Sequence, residues 1–130
     1  MRKKLKNLAK NLLTNIYLVI WCIAKGEVFM DIQLKRGVLD VCVLKAIKNE
    51  DSYGYKIIKD VKPVLELSES TLYTILKRLE EANMLVVRVV IHEGRIRKYY
   101  HITENGLRRI EEFKNEWKEL MDIYQFIVEE

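Results

Sequence analysis

Residues 67–85 read LSESTLYTILKRLEEANML, and this stretch decides the fold. Its apolar residues recur at helical spacing: Leu72, Ile75, Leu76 and Leu79. Such a stripe predicts a helix with one buried face. Ser68 and Ser70 are both suited to cap its start, because a serine hydroxyl can accept hydrogen bonds from the free amide groups of a first turn. The pattern therefore predicts one amphipathic helix across this stretch.

The opposite face of this helix carries hydroxyls, one phenol and two cations: Ser70, Thr71, Tyr73, Thr74, Lys77 and Arg78. Together with Ser68, these groups can hydrogen-bond base edges and phosphates in a DNA groove. An ordinary solvated helix face has a similar composition, so this helix alone does not separate the two interpretations. The segments that follow favour the first.

Two extended segments come next in the chain. A β-branched run at 86–91 leads through a turn at 92–94 into a second strand at 95–102. A helix followed by a hairpin is the order of a winged helix-turn-helix. The hairpin carries an excess of positive charge opposed by Glu93: Arg88, Arg95, Arg97 and Lys98. This excess suits the phosphate backbone, and the short turn predicts wing contacts limited to phosphate.

Two helices are predicted before this stretch. Residues 33–49 are apolar nearly all round, which predicts a buried helix. Residues 53–61 form the next helix, capped by Asp51 or Ser52, and Pro63 prevents its continuation. We expect this helix to place further groups near phosphates: Tyr53, Tyr55 and Lys56. Together with the 67–85 helix it makes the helix-turn-helix.

A last helix is predicted at 106–130. Its apolar residues are spaced 3, 4, 3, 4 and 3 apart: Ile110, Phe113, Trp117, Leu120, Tyr124 and Ile127. This a/d seam is typical of a helix that pairs with another helix. It can fold back on its own domain or pair with a second copy of the chain, and we expect pairing.

Three segments resemble the signature of the PadR family of transcriptional regulators: DSYGYKII at 51–58, STLYTILKRLEEANML at 70–85 and GRIRKYYHITENG at 94–106. They stand in the family's order and spacing, and the resemblance runs from about Gln33 to the C-terminus. It implies a mainly α fold with a β-hairpin, a winged helix-turn-helix at 30–103 and a C-terminal dimerisation helix at 104–130. It also implies a homodimeric repressor that binds a pseudo-palindromic operator in double-stranded DNA.

The single C-terminal helix resembles a small PadR subgroup, and STLYTILKRLE with FKNEW at 113–117 is similar to its multidrug-responsive members. In those relatives a matching tryptophan lines a pore between subunits and stacks on flat aromatic drugs. The resemblance implies that Trp117 does the same for a small planar hydrophobic ligand, against its alternative as a bulky packing residue. The other members of such a pocket or seam would be Ile110, Phe113, Leu120, Met121 and Tyr124.

The residue composition argues against a metal-binding protein and against an enzyme, and the charge distribution limits what the net charge can show. The chain has 130 residues and a net charge of +4, but 1–29 hold six of the 23 basic residues and one of the 19 acidic ones. Residues 30–130 are therefore nearly neutral, so the local distribution of charge carries the argument. Cys22, Cys42 and the two histidines make no plausible metal set, and the sequence has no phosphate loop or catalytic constellation. We expect no enzyme, no cofactor and a cytoplasmic protein.

The N-terminal extension, residues 1–29, is basic and then apolar. Three interpretations remain open: a segment upstream of a true start at Met30, an added helix that packs on the domain or its partner, or a membrane-touching leader. The third is the least favoured, because the apolar run is short for a bilayer. Two alternatives to the DNA-binding repressor therefore stay open. One is a winged helix that binds protein, and the other is a regulator that residues 1–29 attach to a membrane.

Overall fold

The computed structural model describes residues 32–130, so the N-terminal extension lies outside the described residues. The elements in chain order are α1 (Ile32–Ala46), α2 (Gly54–Val61), α3 (Glu69–Glu81), β1 (Leu85–His92), β2 (Arg95–Ile102) and α4 (Glu104–Val128). This is the predicted winged helix-turn-helix followed by a long helix. Within residues 32–130, none of the helices combines the length and hydropathy needed to span a bilayer.

The chain divides into two compact units. One is Gly37–Glu112, and the described residues 32–36 and 113–130 belong to the other. The first unit contains the helix-turn-helix and the hairpin. Its buried core draws on the three helices before the hairpin, on both strands and on the first turns of α4: Val41, Val43, Leu44, Ile47, Ile57, Val61, Leu67, Leu72, Ile75, Leu76, Leu79, Leu85, Tyr100, Ile102 and Ile110.

Helix α3 begins as predicted and ends earlier than predicted. Ser68 is its N-cap, and the Ser68 side chain accepts a hydrogen bond from the backbone amide of Thr71. The chain leaves the helix at Asn83, whose φ of 58° is left-handed, and the amide of Met84 donates to the carbonyl of Leu79. Leu85 therefore starts β1 instead of ending the helix, because this turn reverses the chain before it.

The predicted cap of α2 is wrong. Tyr53 occupies the N-cap position and makes no side-chain cap bond. Ser52 is drawn into the sheet: its amide donates to the carbonyl of Tyr100 at 3.3 Å, and the amide of Tyr100 donates to the carbonyl of Ser52 at 2.8 Å. The Ser52 side chain is fully buried beside this bridge. The start of α2 is thus fixed by pairing with β2.

The hairpin pairs β1 with β2 antiparallel, from Leu85 opposite Ile102 to His92 opposite Arg95. Because His92 and Arg95 are paired, the turn is the two residues Glu93 and Gly94, one fewer than predicted. Both have positive φ, 50° and 76°. Two residues with positive φ make the tight turn that matches the twist of a hairpin, and glycine adopts that conformation without a steric penalty.

The first helix is shorter than predicted. It ends at Ala46, and the amides of Ile47 and Lys48 bond to carbonyls three residues back, at Leu44 and Lys45. Such bonds tighten the last turn and stop the α-helix. The predicted burial is confirmed at its centre, where Val43 and Leu44 are inaccessible to solvent.

The last helix begins at Glu104, before the predicted start. Thr103 precedes it, and its hydroxyl oxygen accepts from the amide of Gly106 at 3.2 Å. Gly106 lies against the turn that follows α3. A Cβ atom at Gly106 would stand 2.3 Å from the carbonyl oxygen of Met84 and 2.6 Å from Cγ1 of Ile102. Only glycine fits this approach without a shift of the backbone.

We predict that Gly106→Ala lowers the free energy of unfolding by about 2 kcal/mol, because the added methyl overlaps a backbone carbonyl. Urea denaturation monitored by circular dichroism measures the change. Gly37→Ala is the matched control. A Cβ at Gly37 meets its nearest atom, in Arg109, at 3.9 Å, so this helix position should gain stability by up to about 1 kcal/mol. Equal effects of the two substitutions would contradict the packing described for Gly106.

Candidate DNA-binding surface

A cleft of about 1040 Å³ opens between the start of α2, the recognition helix and the hairpin. Six of the predicted DNA contacts line it: Tyr53, Tyr55, Tyr73, Arg95, Arg97 and Lys98. The rest of its wall comes from residues that the sequence did not single out as contacts: Gly54, His92, Glu93, Ile96 and Tyr100. Three separate predicted segments therefore meet at one surface, with three cations and one carboxylate along its wing side.

The exposed hydroxyls at the start of α3 are ordered by one another. The Ser68 hydroxyl donates to Oγ1 of Thr71 at 2.8 Å and lies 3.2 Å from Oγ of Ser70. The Thr74 hydroxyl donates to the carbonyl of Ser70 at 2.9 Å. A hydroxyl that donates within the protein keeps lone pairs that can accept from a base. Lys77 is exposed one turn beyond Tyr73.

Tyr73 joins α3 to α2. Its side chain is half exposed, and a Cβ at Gly54 would stand 3.0 Å from its hydroxyl. The glycine in the first turn of α2 thus makes room for the phenol. Tyr100 lies behind it in the core; burial raises the pKa of its phenol above the ordinary value, and Tyr73 and Glu80 add to that effect. Tyr99 and Tyr100 point to opposite faces of β2, and Tyr100 is in the core.

Two arginines are held by tyrosine rings on the face of the hairpin opposite Tyr100. The guanidinium of Arg97 lies 4.1 Å from the ring centre of Tyr53, and that of Arg88 lies 5.4 Å from the ring centre of Tyr99. The two rings meet edge to face at 5.6 Å. Arg97 also donates to the Tyr99 hydroxyl at 3.4 Å, which raises the pKa of its guanidinium. Cation–π contacts of this kind restrict where the positive charges stand.

Asp51 connects the hairpin to the loop before α2. One carboxylate oxygen lies 2.6 Å from Nδ1 of His101, and the other accepts from Arg88 at 3.4 Å. The sequence suggested Asp51 as a helix cap and gave no role to His101. Charge pairing between a loop and a strand fifty positions away leaves no local pattern, so sequence reasoning had no signal for it.

Two predicted contacts are engaged in ion pairs. Arg78 binds Asp40 of α1, and both side chains are largely shielded from solvent. Lys56 bridges Glu50 and Asp60, both at 3.1 Å, and the hydrogen bond to Asp60 chiefly raises the pKa of its ammonium. Lys56 remains at the surface. Arg78 is oriented toward the neighbouring helix, where its ion pair with Asp40 links α1 to α3.

The predicted seam of α4 is divided between the two units. Ile110 is buried inside the 37–112 unit, so it is a core residue and leaves the predicted seam. Further along the helix, the rings of Phe113 and Trp117 stack with centres 6.0 Å apart. Leu120 and Tyr124 are half-buried, and Met121 is exposed.

In residues 32–130, no group of three or more His, Cys, Asp or Glu side chains is placed to hold a metal ion. Cys42 is a free thiol, and burial raises its pKa above the ordinary value. A raised pKa disfavours the thiolate, which is the reactive form.

A helix-turn-helix with a cationic hairpin beside its second helix is the architecture of a winged-helix domain. Residues 43–112 match the family model described as the Transcriptional regulator PadR-like family, and the chain belongs to this family. Its members regulate transcription and are not enzymes. The resemblance drawn from the sequence is thereby confirmed at the level of the family.

Known proteins agree with this assignment. A PadR-like transcription factor from Bacteroides fragilis is 33% identical, covers 74% of this chain and 95% of its own, and superposes with a TM-score of 0.68. An uncharacterized protein of Lysinibacillus sphaericus is 32% identical over 72% of this chain and 91% of its own length. Bacillus subtilis PadR in complex with operator DNA shares the fold, with a TM-score of 0.56, 22% identity and coverage of 58% and 46%.

The Asp40–Arg78 pair predicts an energetic coupling. In a double-mutant cycle of Asp40→Asn and Arg78→Gln, each single change should destabilise the domain, because it leaves a shielded charge without its partner. The double variant should recover about 1 kcal/mol relative to additivity, measured by urea unfolding.

A cycle on the exposed Lys56–Asp60 pair is the control for this coupling and should show a smaller one, because solvent screens it. Additive effects at positions 40 and 78 would contradict the assigned role of Arg78.

Proposed function

We propose that the protein is a homodimeric transcriptional repressor that acts in the cytoplasm and binds a pseudo-palindromic DNA operator. The observation that carries this proposal is the shared cleft, in which the exposed phenol of α3 faces the cations of the hairpin. A polar helix beside a cationic wing is complementary to a groove bounded by phosphates. Family membership supports the regulatory role, and the B. subtilis relative is a protein solved on operator DNA.

In this proposal α3 enters the major groove and reads base edges. The groups at its exposed start are Ser68, Ser70, Thr71, Tyr73 and Thr74. Hydroxyls both donate and accept, so they suit mixed patterns of donors and acceptors on successive base pairs. Lys77 stands further along the helix and contacts a phosphate. Arg78 takes no part, because its guanidinium is bound to Asp40.

The hairpin and α2 hold the phosphates on either side. Arg95 and Lys98 are exposed on the wing, and Arg88 and Arg97 are positioned by tyrosine rings. Tyr53, Tyr55 and Lys56 add contacts from α2. Several cations on one duplex release counterions when they bind, so the affinity should fall steeply with salt. Glu93 at the tip reduces this attraction locally.

Dimerisation is assigned to the second half of α4. Five apolar side chains beyond Glu112 follow heptad spacing and retain accessible surface in the single chain: Phe113, Trp117, Leu120, Tyr124 and Ile127. Met121 lies next to this stripe and is exposed. A second copy would cover this stripe. Two recognition helices held in this way would meet half-sites about one helical turn, roughly 34 Å, apart.

The same stripe is the proposed site of a regulatory ligand. Phe113 and Trp117 already stack, and Met121 beside them is flexible and polarizable. A small planar hydrophobic molecule between two such helices would favour one inter-helix angle. It would change DNA affinity by no more than its differential affinity for the two dimer forms.

Binding-site selection from random duplex DNA tests the proposed function. The purified protein should enrich a pseudo-palindrome whose half-site centres lie about ten base pairs apart. Sedimentation at the same concentrations should give a dimer. Enrichment of no sequence above background, with the protein folded, would reject the repressor and favour a winged helix that binds protein.

Tyr73→Ala should weaken binding to the selected operator by about tenfold or more, since each lost base contact costs about 1–3 kcal/mol. The half-exposed phenol should leave the fold intact when removed. A mobility-shift titration at fixed salt measures the affinity. Glu81→Ala, an exposed change at the other end of α3, is the control and should not weaken binding. Equal affinities for both variants would remove Tyr73 from the reading face.

A flat aromatic cation should quench the fluorescence of Trp117, because stacking on an indole provides a path for quenching. The measurement uses a Trp21→Phe background, since the chain has two tryptophans. Leu120→Ala should change the ligand affinity in the same assay. A panel of planar cations that leaves the emission unchanged would assign Trp117 to packing alone.

A further inference from the structure

The apolar segment of the N-terminal extension, residues 11–24, reads NLLTNIYLVIWCIA and contains no charged side chain. Four of its side chains recur at spacings of 4, 3 and 4, which is typical of one face of an amphipathic helix: Leu12, Ile16, Val19 and Ile23. Such a face needs an apolar surface to cover it, because exposed aliphatic side chains are unfavourable in water. The segment lies outside the described residues and has no part in the proposed DNA contacts.

Helix α4 offers apolar surface beside the stripe that we assign to the second copy. Met121 and Val128 stand next to that stripe, seven positions apart on one line of the helix, and are 37% and 47% exposed. We call these two residues the α4 edge. The stripe and the α4 edge together are wider than the a/d seam that a single partner helix covers. The α4 edge would therefore remain uncovered when two copies pair through the stripe.

The path of the chain keeps the extension close to α4. A Cβ atom at Gly37 in α1 would stand 3.9 Å from the guanidinium of Arg109 in α4, and residues 32–36 belong to the same compact unit as 113–130. Seven residues connect Ala24 to Ile32, and they span at most about 25 Å. As a helix, residues 11–24 would be about 21 Å long, which fits the length of about 24 Å from residue 113 to residue 128 of α4.

Charge orients the segment on α4. The first ten residues carry five positive charges and no acid: Arg2, Lys3, Lys4, Lys6 and Lys10. The last nine residues of the chain carry three acids and no cation: Asp122, Glu129 and Glu130. Residues 113–121 hold two lysines and two glutamates, so their net charge is zero, as is that of residues 11–24. An antiparallel packing brings the basic end of the extension to the acidic end of the chain, where opposite charges attract.

We propose that residues 11–24 form an amphipathic helix that packs antiparallel on the α4 edge of the same chain, with the basic residues 2–10 beside the acidic end of α4. The inference goes beyond the repressor function and does not depend on it, since neither DNA nor a ligand takes part. The basic and apolar parts of the extension would also suit an anionic membrane. Helix α4 offers matching apolar and acidic surface within reach of a connection of seven residues.

Hydrogen exchange measured by mass spectrometry on the full chain tests this proposal. The amides of residues 11–24 should exchange about tenfold or more slowly than in a synthetic peptide of residues 1–29, because a packed helix protects its backbone hydrogen bonds. Met121→Asp/Val128→Asp should abolish this protection. Phe126→Asp is the matched control: Phe126 is 80% exposed and lies on another side of the helix, so its replacement should leave the protection unchanged. Exchange within residues 37–112 reports whether each variant is folded.

Chemical cross-linking tests the orientation. A carbodiimide joins a lysine amine to a carboxylate that is in direct contact with it, so Lys6 or Lys10 should be joined to Glu129 or Glu130. The protein is assembled from equal amounts of isotope-labelled and unlabelled chains. Each joined pair of peptides should then be fully labelled or fully unlabelled, because both peptides come from one chain.

Each contrary result points to a different arrangement. Peptide-like exchange of residues 11–24 in the full chain would overturn the proposal, and protection that appears only with vesicles of phosphatidylserine and phosphatidylcholine would overturn it in favour of a membrane-touching leader. Protection that persists in a folded Met121→Asp/Val128→Asp variant would overturn the assignment to the α4 edge. Joined peptides of mixed label would overturn it in favour of the α4 of a second copy. Binding-site selection tests the repressor function separately from all of these results.

Discussion

The attachment of the hairpin to the helix-turn-helix is the constraint on which the candidate surface depends. Two backbone hydrogen bonds join Ser52 to Tyr100, and the Asp51 carboxylate contacts Arg88 and His101 next to that bridge. Through these contacts β2 fixes where α2 begins, and α2 in turn meets α3 at Gly54 and Tyr73. Contacts at the start of α2 therefore connect the wing to α3, and Tyr53 and Gly54 at this start also line the cleft.

Local patterns predicted the parts of this arrangement that depend on neighbouring residues. The stripe and cap of α3 and the hairpin follow from periodicity and capping, and both predictions are confirmed. The predictions are wrong where contacts with residues distant in sequence override the local pattern. Ser52 is a good cap in isolation, but its backbone pairs with β2. Leu85 continues a helical stripe in sequence, but the left-handed turn at Asn83 places it in a strand.

In the candidate site, too, some features were predictable from the sequence and others depend on distant residues. The sequence predicted the tyrosines and cations that now line the cleft, because their types and order are visible without a structure. It did not reveal the ion pair of Arg78, since nothing near that position shows that Asp40 of another helix binds it. It placed Ile110 in the seam because the heptad spacing begins there, whereas the first turns of α4 belong to the core. Ile96 lines the cleft and could have been predicted to do so, because alternation along β2 puts it on the same face as Tyr100.

The ion pair between Asp40 and Arg78 has a consequence for how this sequence can change over time. An aspartate lost from α1 leaves a shielded guanidinium without a counter-charge, and an arginine lost from α3 leaves a shielded carboxylate. A variant with only one of the two residues replaced is therefore less stable than the protein with the intact pair. Among relatives that keep this packing of α1 on α3, the two positions should therefore vary together, although thirty-eight positions separate them in the chain.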